Sequence, residues 1–349
     1  MKKTSKTKNL LMAWSALGGI AAGLLGVSGQ AMAQEVTVAS WGGTYQEALR
    51  KAFYGPASKE TGITIKDVTL KGIADVRLQV KANAVVWDVA ELFGGGCEQA
   101  RREDLSEPLD YSVIKTDGIP PQLVNSHWIA INSYSTVMAW NTDRVKNPPK
   151  NWAEFFDNKK VPGTRSISPQ SVTVEMALLA DGVPADKLYP LDLDRAFKKL
   201  AEFKPQVTTF WMTGAASTQL ALSGEVDMLT MWTSRAQAAK NEGAKIDYTY
   251  EGALLGIQCL MVPKGAKNKA NAMKVIASML TPEIQANLPH HVAYSPINAK
   301  AMDTGKIPPE LARTLNSSPE NRAKQVVVDV MWWADHGQEV QERFDKLMK

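Results

Sequence analysis

Short β-branched runs alternate with longer stretches of helical periodicity, and that alternation restricts the possible folds more than any other feature of the chain. Residues 36–40 (VTVAS) read as a strand, 45–53 as a helix, 63–70 as a strand, 73–82 as a helix and 88–93 as a third strand. Parallel strands cannot be joined by a tight turn; they need a crossover of a dozen or more residues, usually a helix. The order therefore predicts an α/β fold with helices on both faces of a largely parallel sheet. Ligands of such sheets bind beyond the carboxyl ends of the strands. Trp41-Gly42-Gly43 follows one such end and Gly94-Gly95-Gly96 another.

A second series of the same kind occupies the middle of the chain. A short helix begins at Trp152, Val161-Pro162-Gly163 makes a turn, and residues 165–168 read as a strand. Helices at 172–180 and 192–203, a strand at 207–210, a helix at 217–223 and an apolar strand at 226–232 follow. A strand at 254–262, a helix at 269–280 and an amphipathic helix at 338–348 complete the reading. Two α/β units with a crevice between them are the expected architecture.

The first residues differ in kind from the rest. MKKTSKTKN is basic, residues 10–27 are apolar, and Ala31-Met32-Ala33 offers small residues where signal peptidase needs them, so residues 1–33 read as a signal peptide cleaved after Ala33. Gly18, Gly19, Gly23 and Gly26 dilute the apolar run against a membrane-spanning reading. No cysteine stands near the cleavage point to be acylated, so a periplasmic protein without a membrane anchor is expected. Four of the 40 Lys and Arg lie in this segment and no acid does, which leaves 36 charges of each sign. The clustered basic excess that nucleic acid or anionic lipid requires is therefore not indicated. Cys97 and Cys259 would meet an oxidising compartment. A disulfide is open to them, but bridging needs α-carbons within about 7 Å, which sequence does not decide.

Several segments, in order, carry a resemblance over nearly all of the mature chain. VTVASWGGTYQEALRKAF with ETGI, WDVAEL, SEPLDYS, YSTVMAWNTDRV, SGEVDMLTMWTSRAQAA, VPKGAKNKANAMKVIASMLTPEIQ and YSPIN are similar to periplasmic solute-binding proteins of the spermidine/putrescine-binding type. The resemblance implies the two-lobed periplasmic binding protein fold (type II), with the ligand in the inter-lobe cleft. The lobes would be joined by two or three crossing segments. It implies a first lobe of residues 34–135 that returns at 258–307, a second lobe of 136–257, and a C-terminal helical segment, 308–349, packed on the second lobe. The protein would capture a small molecule by lobe closure and present it to an inner-membrane ABC permease, as a monomer, with no cofactor, metal or covalent chemistry. A sensor in place of the permease stays open as an alternative.

Candidate ligand contacts follow from both lines of reasoning. Trp41, Thr44 and Tyr45 lie at the end of the first strand, Thr44 also being placed to cap the next helix. Gly95, in the glycine triplet, offers either backbone N–H groups at a helix start or room for the ligand. Tyr134 and Ser135 fall where the chain first crosses between lobes, and Trp211 in a segment that reaches the crevice from the second lobe. Trp232, Arg235, Gln258 and Tyr294 match further contact positions of the resemblance. In its polyamine-binding branch, crevice acids pair with ligand ammonium groups; here Pro169, Val172 and Gln258 stand in those places, with Glu175 nearby. Arg235 offers a planar fork suited to a carboxylate or phosphate. A carboxylate-bearing or zwitterionic ligand is therefore expected in preference to a polyamine. G-x-S-x-G, H-E-x-x-H and C-x-x-C are absent, and the four histidines are isolated or adjacent, which leaves a hydrolase or metalloenzyme reading without residues to carry it.

Overall fold

The computed structural model describes residues 34–169 and 172–349; the expected signal peptide and its expected cleavage after Ala33 lie outside the described residues. Parallel strands β1 (Glu35–Ser40), β2 (Thr64–Thr69) and β3 (Val89–Phe93) build the first lobe, and β6 (Arg165–Ile167), β7 (Val207–Phe210) and β8 (Met228–Trp232) build the second. β2 is the outer strand and alternates exposed and half-covered residues, with Lys66 and Asp67 blunting its edge. Two long strands join the lobes: β5 (Ile129–Asn141) and β9 (Ile246–Pro263). They run antiparallel to each other and to β8 and β3, giving the order β2-β1-β3-β9-β5-β8-β6-β7.

The sheet is thus mixed where a largely parallel one is expected. A strand that passes through both lobes must run back against the strand that brought the chain out. β9 also begins at Ile246, well before the strand expected at 254, because a register shift near Thr136 lets it bend past Gly252, whose φ is +67°. The lobes meet where Tyr134, Ser135 and Thr136 oppose Gly256, Leu255 and Leu254. A third strand, β11 (Val326–Val327), pairs with Leu254 and Leu255 at the same level. Short strands β4 (Ser106–Glu107) and β10 (Ser295–Pro296) add to β9 and β5 in the first lobe.

Each lobe has its own apolar centre. Val36, Phe53, Ile129, Leu260 and Ile276 belong to that of the first, and Trp152, Phe155, Leu200, Phe203 and Phe344 to that of the second. Cys97 and Cys259 form a disulfide, their α-carbons 6.4 Å apart, which ties the helix Gly94–Arg102 to β9. It spans 162 residues of sequence. Closing so long a loop restricts the unfolded chain, and its loss costs roughly 2–5 kcal/mol.

The C-terminal helix, Val330–Met348, starts well before residue 338, where Asp329 accepts from the amides of Met331 and Trp332 as its N-cap. Trp332, Val340 and Phe344 enter the second lobe's core, while Val330 and Trp333 press on Gly94 and Gly95. The helix therefore bridges both lobes.

Candidate ligand-binding site

A cavity of about 1400 Å³ opens at the carboxyl ends of β1 and β3 and faces the start of the helix Thr233–Asn241, which follows β8. Trp41, Thr44, Tyr45, Gly95, Tyr134, Trp232, Arg235, Gln258 and Tyr294 all line it. The glycine turn after β1 sets the first three. Gly42 has φ +68°, and a β-carbon there would stand 2.8 Å from the Thr69 hydroxyl, so the chain turns sharply into the helix Gly43–Leu49. Thr44 does not cap that helix. Gly42 occupies the cap position, and its amide donates instead to the Gln46 side chain at 2.8 Å. This frees the Thr44 hydroxyl, which accepts from Arg235 Nη1 at 2.5 Å across the cleft.

Aromatic faces form much of the wall. Trp41 stacks on Phe93 at 4.4 Å, Phe93 faces Tyr134 at 5.5 Å and Trp232 at 6.2 Å, and Tyr294 tilts against Tyr45 and Tyr134. Tyr134 lies over β9 because Gly256 has no side chain; a β-carbon there would come within 2.7 Å of its ring. Trp41 Nε1 donates to Gln258 Oε1 at 2.9 Å, which commits the amide oxygen and leaves the amide NH₂ as a donor at the wall.

Charge on the wall is of one sign. Lys71, Arg235 and Arg322 line the cavity, and no Asp or Glu among the described residues does. Desolvation lowers the pKa of Arg235 from its ordinary value, with Tyr294 opposing, and its only hydrogen bond among the described residues goes to the Thr44 hydroxyl. A half-buried guanidinium with one neutral partner among the described residues is short of an anion.

Two of the expected contacts do not reach the cavity. Strand alternation sends the Ser135 side chain to the face opposite Tyr134. There its hydroxyl donates to Gln325 Oε1 at 2.5 Å and accepts from Asn316 Nδ2 at 3.2 Å, within a buried hinge network. Trp211 is 2 % exposed, packs edge-on against Trp232 at 5.4 Å and donates to the Thr230 hydroxyl at 3.3 Å. Its successors Met212, Thr213 and Gly214 line the cavity instead. The glycine triplet also has another purpose. A β-carbon on Gly94 would meet Val330 and Ile257 at 2.7 and 2.8 Å, and one on Gly95 would meet Trp333 at 2.8 Å. The space is taken by the C-terminal helix.

Sequence reasoning missed Phe93, Gly214, Gly256 and Trp333 on the wall, and Glu91 behind it. Glu91 and Glu175 are acids in strongly apolar segments, VAELF and TVEMALLA, and that contrast was the available signal. Burial raises both to about 7, against hydrogen bonds from Tyr45, Ser40 and Asn132 at Glu91 and from Tyr189 and Trp333 at Glu175. Glu175 does stand near the cleft, but it receives Trp333 Nε1 at 2.7 Å and the Tyr189 hydroxyl at 2.6 Å instead of lining the cavity.

Two α/β lobes hinged on three strands, with a cavity between them walled by aromatic rings and an under-partnered arginine, define a ligand-binding protein of the two-lobed kind. The chain belongs to the bacterial extracellular solute-binding protein family, whose model matches residues 50–313. A gamma-aminobutyric acid-binding protein of Pseudomonas aeruginosa is 32% identical over 327 residues, covering 90% of this chain and 91% of its own. An ABC transporter substrate-binding protein of Bradyrhizobium japonicum superimposes with a TM-score of 0.87 at 39% identity, over 90% of this chain and all of that one. The Agrobacterium tumefaciens binding protein MotA, solved with glucopine, gives 0.86 at 37% identity, with 90% of this chain and 100% of that one covered. Spermidine/putrescine-binding periplasmic proteins match at 22–24% identity. The protein is a substrate-binding component of an ABC transporter that captures a small ligand.

Proposed function

We propose that the protein is the periplasmic receptor for a small carboxylate-bearing ligand of amino-acid type, with Arg235 as the carboxylate anchor. The observation that carries this reading is the Arg235 guanidinium in the cavity wall, bonded only to the Thr44 hydroxyl among the described residues, where no acid lines the cavity. A carboxylate would satisfy its remaining donors in a paired geometry. A polyamine would meet three cations and no wall acid. The relatives that bind gamma-aminobutyric acid and glucopine support an amino-acid-like ligand. A cavity larger than the roughly 300–1000 Å³ usual for small ligands leaves room for a substituent beyond the carboxylate end.

Trp41, Thr44, Tyr45, Gly95, Tyr134, Trp232, Gln258 and Tyr294 complete the contact surface in this reading, with lobe one at 34–135 and 258–307 and lobe two at 136–257. The protein is exported by a signal peptide cleaved after Ala33. It acts as a monomer, binds without turnover, and meets its inner-membrane permease transiently in the closed state, because only that state buries the ligand between both lobes.

Thermal-shift screening of the purified protein against amino acids, carboxylates and polyamines tests the ligand class, since a ligand that binds the native state raises the melting temperature. Stabilisation by 4-aminobutyrate or related carboxylates is expected, and Arg235→Ala should weaken their binding about a hundredfold by removing a paired charged contact. Stabilisation by spermidine alone, or full carboxylate affinity in Arg235→Ala, overturns the reading.

A further inference from the structure

We infer that Glu91, buried behind the first-lobe wall, is the counter-charge for a cationic group on the ligand, acting through the Tyr45 hydroxyl so that the site selects amino-carboxylates over plain carboxylates. This rests on the reading of Arg235 as the carboxylate anchor.

Glu91 is the one acid of β3, a strand otherwise built of Val, Ala, Leu and Phe, and it is 1 % exposed. The Ser40 hydroxyl donates to one of its oxygens at 2.7 Å and the Tyr45 hydroxyl to the other. Tyr45 in turn accepts from Asn132 Nδ2 at 2.9 Å. These partners are all neutral, and among the described residues no Lys, Arg or His forms an ion pair with Glu91. A buried carboxylate without a cation is costly to ionise. A packing role alone would be filled by an amide of the same shape. The acid is instead joined directly to a side chain of the cavity wall, one residue from Thr44, which holds Arg235.

The rings between Glu91 and Arg235 suit a cation. Tyr294 stands 5.5 Å from the Tyr45 ring and 5.8 Å from Tyr134, and it feels both Arg235 and Glu91 electrostatically. Phe93, two residues along β3 on the same face as Glu91, stacks on Trp41. A ligand ammonium among these faces meets ring quadrupoles in front and a carboxylate behind. Its carboxylate end lies toward Arg235 on the other lobe.

Burial raises Glu91 to about 7, so the carboxyl can ionise in response to an arriving cation. The groups that face it are Ser40 from β1, Tyr45 from the helix Gly43–Leu49, Tyr54 from the helical turn Arg50–Tyr54, Asn132 from β5 and Tyr294 ahead of β10. The charged groups beyond them are Asp67, paired with Arg50, behind Tyr54, and Arg235 behind Tyr294.

Calorimetric titration with 4-aminobutyrate and with butyrate, on the wild type, Glu91→Gln and Glu175→Gln between about pH 5.5 and 8.5, tests the inference. The wild type should favour 4-aminobutyrate, by a ratio that grows as pH rises through about 7. Glu91→Gln should cut that ratio about tenfold and flatten its pH profile, as loss of a charge at short range in a partly desolvated site requires. Glu175→Gln should keep both. Without any substitution, wild-type binding of 4-aminobutyrate near pH 6.5 should release protons, read from the heat in buffers of different ionisation enthalpy. An unchanged ratio in a folded Glu91→Gln protein, a shift produced by Glu175→Gln instead, or no proton release overturns this inference alone. Failure of both ligands to bind the wild type overturns the Arg235 reading, and this inference with it.

Discussion

The two walls of the cleft are built on the same α/β plan yet offer different chemistry. The first lobe presents Trp41, Tyr45, Phe93 and Tyr294, neutral faces with a carboxyl hidden behind them and the exposed Lys71 beside them. The second presents Trp232 and Arg235, a ring and a fixed positive charge at the start of a helix. Neither wall alone satisfies a zwitterion. In the proposed reading Arg235 on one lobe and Glu91 behind the other wall answer opposite ends of the ligand, which then gains its full set of contacts only when the lobes close. Binding energy is thereby converted into a shift of the open–closed population.

Each lobe also buries one acid near the cleft, and the largest effect should come from comparing these. Glu91 and Glu175 are both raised to about 7 from an ordinary value of 4.5, so the folded state keeps protons that the unfolded chain has lost. The stability these two groups contribute should be fully present below about 4.5 and be lost as pH rises through about 7. Glu175→Gln, which does not titrate, should remove the second lobe's share of that slope, on the order of 3 kcal/mol in urea titrations at pH 4.5 and 8. A slope unchanged by Glu175→Gln would make the first lobe its only source.

Gly95→Ala sharpens the comparison on the first-lobe side. Its backbone is helical, so the new methyl costs nothing in conformation, but it would lie 2.8 Å from the Trp333 β-carbon. Separating the two helices should cost about 2 kcal/mol of stability, seen as a lower melting temperature. A neutral result would mean the C-terminal helix is held by the second lobe alone.

Gly214→Ala probes the opposite wall. The methyl would stand 2.6 Å from Arg235 Nε and 2.9 Å from the Trp232 ring, whereas one at Gly43 would be 3.7 Å from Arg235. Displacing the guanidinium should weaken carboxylate binding about tenfold, or about 1.4 kcal/mol, with little change in melting temperature. Undiminished affinity would show that Arg235 is free to move without loss.

Much of this was legible in the residues. The strands of both lobes stand near where β-branched runs placed them, and nine of the eleven expected contacts line one cavity, because a turn after a strand's carboxyl end has few other places to go. Ser135 and Trp211 escaped because which face a side chain takes depends on strand register and on neighbours distant in sequence: Gln325 covers the one and Trp232 the other. The second purpose of the glycine triplet, which also lines the cavity, escaped for the same reason, lying in Val330 and Trp333 at the far end of the chain.

What the sequence determined by itself was local: periodicity, turn chemistry, an export-type leader and the presence of an arginine where a carboxylate reader is expected. Tertiary structure alone decided that Cys97 meets Cys259, that β5 and β9 run unbroken through both lobes, and that Glu91 is buried behind Tyr45 with no cationic partner among the described residues. Each of these depends on free energies of burial and pairing between groups far apart in sequence, and those arise only once the lobes have packed.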